Sequence, residues 1–180
     1  MEKLVEKAQK GDQSAYIELV RMYKTDLYRV AKTRLDNIDD INDAINETLL
    51  KTYKDIRKLR NRKYFKTWMI KILINECNNI YNQYKRQTEI FDKIQSTHEP
   101  EESTKHIDAV NDDIDFEIFI DSLKYDEKII ITLFYQSNYT VSEISDILNT
   151  NDNTVKSRLL RAKDKLRTEL EGGKRYETRK

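Results

Sequence analysis

Lys156, Ser157, Leu160, Arg161 and Lys163 occupy one side of a helical stretch. The other side is apolar, with Val155, Leu159, Ala162, Leu166 and Leu170 recurring every three or four residues. These side chains suit recognition rather than bond-making chemistry. Arg161 or Lys156 can pair with O6 and N7 of guanine, and Leu160 can contact a thymine methyl. Arg158, Lys163 and Lys165 suit phosphate contacts, which add affinity without reading sequence. Thr154, near the helix start, either donates to a phosphate or caps the helix, and the cap is the better fit. A second cluster lies in RKLRNRKYFK, where Arg57, Lys58, Arg60, Arg62, Lys63 and Lys66 surround Asn61 and adjoin Tyr64, with no acidic residue among them. Cations that follow phosphate, beside rings that stack on bases, suit a single strand of nucleic acid. Trp68 stands in an apolar helical stripe and reads first as core, which leaves Tyr64 the better stacking ring.

Covalent chemistry has little to work with. The chain has no Gly-rich phosphate loop and no nucleophile motif. His98, His106 and Cys77 lack zinc-site spacing. The expectation is therefore no enzyme, no metal, no cofactor and no small-molecule substrate. Cys77 is the only cysteine, so no intrachain disulfide can form, and its apolar helical setting predicts a buried structural thiol. The charged N-terminus and the lack of any long apolar run predict a soluble, cytoplasmic protein.

The elements that position these side chains are helical. Three Gly and one Pro in 180 residues, 36% of them charged, argue for an all-α chain. Thr140 and Glu143 have capping-box spacing, and Ile144, Ile147 and Leu148 then share one face. Asn149 to Asn153 supplies a polar turn before the basic helix. The pair has the form of a helix-turn-helix, whose second helix enters the major groove. A plain helical hairpin with a solvated outer face would show the same period. Upstream, apolar spacing predicts four helices: a short one closed by Gly11, one from Ser14 to about Ala31, one from about Asp39 to Lys54, and one from about Tyr64 to Tyr84. Tyr53 and Tyr84 are read as inward-facing members of the last two stripes.

Charge divides the chain. Residues 1–88 carry 19 Lys and Arg against 12 Asp and Glu, residues 89–117 carry 2 against 10, and residues 118–180 carry 12 against 10. The acidic segment holds the one Pro and exceeds the roughly 12–15 residues of an ordinary loop, which predicts a flexible acidic linker. Two small helical domains follow, an N-terminal bundle at 1–88 and a helix-turn-helix domain at 116–172, joined by 89–115 and trailed by a basic tail at 173–180. Fully extended, the 27 residues of the linker would reach roughly 90 Å at about 3.3 Å each. Two turns of B-DNA need about 70 Å.

The string NTVKSRLLRAKDKL resembles the promoter-reading helix of bacterial RNA polymerase sigma factors, in the small extracytoplasmic-function class of the sigma-70 family. GDQSAYIELVRMYKTDLYRVA, DAINETLLKTYKDI and KYFKTWMIKILINECNNI look, in this order, like the core-binding and promoter-melting segments of that class. The resemblance covers most of the chain. It implies that the third helix docks on a coiled coil of the polymerase β′ subunit through Asp39, Asp40, Asp43, Asn46, Glu47 and Leu50. For Asp39 and Asp40, an acidic first turn that complements the helix dipole is the competing reading. It implies that the basic loop with Tyr64, Trp68, Lys71 and Asn75 captures the −10 strand, a flipped base sitting in a pocket of the loop. It implies that Thr154 to Lys165 read the −35 element. The implied partners are core RNA polymerase (β′ and β), promoter DNA, and an anti-sigma factor anchored in the membrane. The reading that competes with it is a stand-alone helix-turn-helix regulator. Asn46 for Gln, Leu49 for Phe and Ser145 for Ala depart mildly from the family pattern.

Overall fold

Asp12, Asn37 and Asn61 each open a helical segment by accepting backbone N–H groups that would otherwise lack partners. The computed structural model describes residues 1–94, 120 and 122–177, with side chains to 88 in the first stretch and to 168 in the last. The linker centre, His98, His106 and the last residues of the tail lie outside the described residues. The N-terminal helices are α1 (Glu2–Gln9), α2 (Gln13–Lys32), α3 (Ile38–Asp55) and α4 (Phe65–Ile94). Two short 3-10 turns, Ile56–Lys58 and Arg62–Tyr64, bracket the basic loop between α3 and α4.

The apolar stripes of α2, α3 and α4 meet in one core, where Leu19, Leu27, Ile41, Phe65, Met69, Ile70 and Leu73 are fully buried. Each such side chain is worth about 1.5–3 kcal/mol of burial. Tyr16 closes one side: its hydroxyl donates to the Leu49 carbonyl at 2.6 Å and also lies 2.6 Å from Thr52 Oγ1. Cys77 is buried as expected. Helices α3 and α4 run antiparallel, with Tyr84 meeting Asp40 at one end of the seam and Lys51 meeting Glu76 further along.

Two inward assignments need correction. Tyr84 is half-exposed and donates to Asp40 Oδ1 at 3.0 Å, because α3 begins at Ile38 and offers no further apolar surface there. Tyr53 is also exposed and only leans its edge on Tyr16, ring centroids 5.0 Å apart. Helix α4 continues ten residues beyond Tyr84, to Ile94, into the segment read as linker.

The C-terminal block contains α5 (Tyr125–Ile131), a π-helical turn (Thr132–Gln136), α6 (Val141–Ile147) and α7 (Asp152–Glu177). Ile129, Ile130, Ile131 and Leu133 pack under Ile144, Val155 and Ala162, all buried. The Thr140–Glu143 capping box forms: Glu143 N donates to Thr140 Oγ1 at 3.2 Å, and Thr140 N donates to Glu143 Oε2 at 2.9 Å. Asn149 takes the left-handed conformation (φ 50°) at the turn, a region Asn enters more readily than most residues. Among the described residues, no helix is long and apolar enough to cross a membrane.

The two blocks touch. Helix α4 packs on α6, and α2 packs on the π-helical turn. Lys66 donates to the Ser137 carbonyl at 2.6 Å and lies 4.0 Å from the centroid of the buried Tyr139 ring. Arg34 is held between two rings, 3.5 Å from the Tyr81 centroid and 4.2 Å from that of Tyr125.

Candidate nucleic-acid interface

Burial of Val155, Leu159 and Ala162 fixes the rotation of α7 and leaves Lys156, Ser157, Leu160 and Arg161 in solvent. Leu160 is 61% exposed, a large aliphatic side chain facing away from the core. Lys156 makes no ion pair among the described residues. Arg161 rests its Nε on the Ser157 carbonyl at 3.3 Å, and Lys163 stands 5.5 Å from the Tyr135 ring centroid. Two cations expected at phosphate have protein partners instead. Lys165 donates to both oxygens of Glu127, at 2.6 and 2.9 Å, and Arg158 lies 3.1 Å from Asp126. Both acids sit on α5, which packs along α7. The cap assigned to Thr154 belongs to Asn151, whose Oδ1 accepts from Thr154 N at 2.8 Å. Ser145 Oγ donates to Asp152 Oδ1 at 2.6 Å and so ties α6 to the first turn of α7. That tie sets the angle between the two helices, and only the smallness of residue 145 was legible beforehand.

The loop after α3 presents Arg57, Lys58, Arg60, Asn61, Lys63 and Tyr64 to solvent. Tyr64 is 46% exposed, free to stack, while Trp68 is half-buried with its ring 6.1 Å from that of Phe65. Arg60 and Lys63 make no ion pair among the described residues, and Lys58 pairs with Asp55 at 2.7 Å. Asn61 caps the second 3-10 turn through Lys63 N, at 3.1 Å. Arg62, still 41% exposed, is tied to α1: its Nε donates to Gln9 Oε1 at 2.9 Å and its Nη1 lies 3.3 Å from Glu6. Lys66 is committed to Ser137, to Tyr139 and, at 3.4 Å, to Asp26. Lys71 and Asn75 are exposed one turn apart on α4.

Along the α3–α4 seam runs a groove of about 690 Å³, lined by Asp40, Asp43, Asn46, Glu47 and Leu50 together with Glu76 and Tyr84. Five of the six residues expected to dock the polymerase thus share one concave surface. Asp39 stands outside it, in the first turn of α3, where the dipole reading suffices. Leu50, 53% exposed, is a large apolar side chain on this mostly polar groove. Lys51 joins two of the lining acids, 2.8 Å from Glu76 and 3.5 Å from Glu47, and these carboxylates hold its ammonium above the ordinary lysine range.

Gln9, Arg34, Ser137 and Tyr139 escaped the sequence reading. Each acts alone rather than as part of a stripe, and their partners lie tens of residues away.

The helical scaffold thus carries one acidic groove and two separate cationic, aromatic-flanked surfaces. Residues 19–88 match the family Sigma-70 region 2, and residues 119–166 match Sigma-70, region 4. The RNA polymerase sigma factor SigV of Bacillus subtilis is 30% identical over 148 residues, which cover 82% of this chain and 86% of that protein. The ECF RNA polymerase sigma-E factor of Haemophilus influenzae is 26% identical, covering 93% and 94%. In fold, the chain is similar to CnrH in complex with the cytosolic domain of CnrY (TM-score 0.68, 17% identity, 95% of this chain and 97% of that one). It is also similar to the sigma factor RpoE in complex with the anti-sigma factor NepR from Bartonella quintana (TM-score 0.68, 20% identity, 87% and 96%). The chain belongs to the sigma-70 family, in its extracytoplasmic-function class. It is a DNA-binding transcription initiation factor that works with core RNA polymerase at promoters.

Proposed function

We propose that the α3–α4 groove is the core-polymerase docking surface, that the loop from Arg57 to Tyr64 captures the opened −10 strand, and that the outer face of α7 reads the −35 duplex. The observation that carries this reading is the position of the groove relative to the loop. The groove follows the seam of an antiparallel helix pair, and the loop is the turn at the tip of that pair. A partner seated along the seam would hold the loop at a fixed distance from its own DNA channel. Asp40, Asp43, Asn46, Glu47 and Leu50 would meet the polymerase β′ subunit. Arg60 and Lys63 would follow phosphate while Tyr64 stacks on a base. Lys156 and Arg161 would read guanine edges, and Leu160 a thymine methyl. The chain carries no catalytic role: it supplies binding free energy for the melted strand, and the chemistry is the polymerase's.

The contact between blocks bears on this reading. Lys66 can reach a DNA phosphate only by leaving Ser137 and Tyr139, so capture of the strand by this residue requires the blocks to part. An anti-sigma factor that favours the joined arrangement would silence the chain, and anchoring of that partner would hold an otherwise cytoplasmic protein at the membrane. The test is run-off transcription by purified core polymerase on genomic fragments, with and without the chain. Discrete start sites that depend on the chain, and that vanish with Asp43→Lys/Glu47→Lys, support the assignment. Specific, symmetric binding to duplex DNA by the chain alone, with no new start sites, would replace it with a stand-alone regulator.

A further inference from the structure

The side chain of Gln9 ends α1 and reaches under the basic loop. Its Nε2 donates to the carbonyls of Ile56, at 3.0 Å, and Leu59, at 2.8 Å, while its Oε1 accepts from Arg62 Nε at 2.9 Å. Carbonyl oxygens only accept and a guanidinium only donates, so this surrounding permits one orientation of the amide. The three bonds fasten both shoulders of the loop, the end of the first 3-10 turn and the start of the second. Between the shoulders only Arg60 and Asn61 remain unattached to α1. Glu6, one helical turn before Gln9, adds its carboxylate to Arg62 at 3.3 Å. Helix α1 is a firm base for this bracket, because Val5 and Ala8 are buried in the core. Gly11 follows with φ +97°, a left-handed backbone that brings the α1–α2 turn beside Arg57.

No other side chain reproduces the bracket. Asn is one methylene short, Glu has no N–H for the two carbonyls, and Ala removes all three bonds, leaving Ile56 O only its bond from Leu59 N. Helix α1 also lies before residue 19, where the match to the region 2 family begins. We infer that Gln9 is a positioning residue for strand capture: it sets the shape of the loop in advance, with Glu6 and Arg62 as parts of the same bracket rather than as strand contacts. A loop that must seat an extruded base gains from having its geometry fixed before the base arrives. The inference rests on the proposal that this loop takes the −10 strand.

The test uses holoenzyme reconstituted from core polymerase and the full chain. The probe is a single-stranded oligonucleotide bearing the −10 sequence of a promoter mapped by run-off transcription, compared with a scrambled strand. Gln9→Ala and Gln9→Glu are each expected to cut the preference for the −10 strand on the order of 10-fold. Affinity for core polymerase should stay unchanged, and amide hydrogen exchange across residues 57–64 should quicken. Gln9→Glu retains the acceptor for Arg62 and so guards against a mere loss of fold. Equal weakening on both strands, or unchanged preference, overturns the role of Gln9. Arg60→Ala/Lys63→Ala separates the two levels. If it abolishes strand binding while Gln9→Ala keeps full preference, the positioning role falls and the loop reading stands. If neither variant affects strand binding, the loop reading falls and Gln9 with it.

Discussion

Replacing Lys165 with alanine should cost stability rather than promoter affinity. Its ammonium donates to both carboxylate oxygens of Glu127, at 2.6 and 2.9 Å. The two partners differ in exposure, the Lys165 side chain at 46% and the Glu127 side chain at 10%. A wholly exposed pair is worth about 0–1 kcal/mol, and loss of one partner of a wholly buried pair costs about 3–5 kcal/mol. This half-covered pair, with a bidentate charge-assisted geometry, falls between them at about 1.5 kcal/mol. For a chain of this size that is a fall in melting temperature of about 3–6 °C. Urea unfolding followed by far-UV circular dichroism, in a double-mutant cycle with Glu127→Gln, isolates the coupling. The pair also carries a pH signature. The Lys165 hydrogen bond holds the Glu127 carboxyl below its ordinary value of 4.5. A depressed carboxyl stabilises the fold fully above the unfolded value, and that stabilisation is lost as pH falls through the lower folded value. The difference between wild type and Lys165→Ala should therefore be constant above about pH 5.5 and shrink progressively below 4.5. An unmoved urea midpoint, together with a salt slope for −35 DNA reduced by about one, would show that Lys165 serves phosphate and refute the reasoning.

Asp43→Lys with Glu47→Lys reverses two exposed charges in the groove proposed to dock the polymerase and should weaken core-polymerase affinity at least about 10-fold with the helical content unchanged. Native affinity would move the docking surface elsewhere. Arg161→Ala should cost about 1–3 kcal/mol at promoters with one −35 base and little at variants of that base. A uniform loss across −35 variants would mark a phosphate contact. Burial pushes the Cys77 thiol up to about 12, so a thiol reagent at pH 8 should label it only on unfolding. Rapid labelling of the native chain would mean that the α4 core opens readily. Arg34→Ala with Lys66→Ala removes both cation–ring contacts between the blocks and should enlarge the radius of gyration seen by small-angle scattering. An unchanged radius would show that helix packing alone joins them.

What the sequence made legible was whatever repeats with the period of a helix or follows a local rule. The stripe from Val155 to Ala162 is buried as the spacing requires, and the Thr140–Glu143 box forms with both of its hydrogen bonds. Asp40, Asp43 and Glu47 of α3 share a groove because positions three or four apart on one helix share a face. Periodicity failed where the neighbouring element ran out. Tyr84 continues the α4 stripe in sequence, but only Asp40 is there to meet it. The cap was misplaced as well, since the helix begins at Asp152 and Asn151, directly before it, accepts from Thr154 N, which is already inside the first turn. The bonds of Gln9 and Lys66 cross 50 and 71 residues and involve backbone carbonyls, so no spacing in the chain announces them.

These long-range bonds change what the basic residues mean. A count of cations treats Arg62, Lys66, Arg158 and Lys165 as equals of Arg60, Lys63 and Lys156. In the folded chain the first four already have protein partners, and the last three form no ion pair among the described residues. A phosphate that recruits one of the paired cations must displace a carboxylate, a carbonyl or an amide, so much of that contact is offset by the bond given up. An unpaired cation gives up only water and counterions. Electrostatic affinity for promoter DNA should therefore draw more on Arg60, Lys63 and Lys156 than on the four paired cations. The paired cations set the geometry in which those three, with Tyr64 and Leu160, are presented. Lys66 stands apart from the other paired cations because two of its three partners, Ser137 and Tyr139, belong to the opposite block, so freeing it from them is a movement of domains rather than of one side chain. One of the contacts that couple the two blocks thus lies at the start of α4, directly after the loop proposed to take the melted strand.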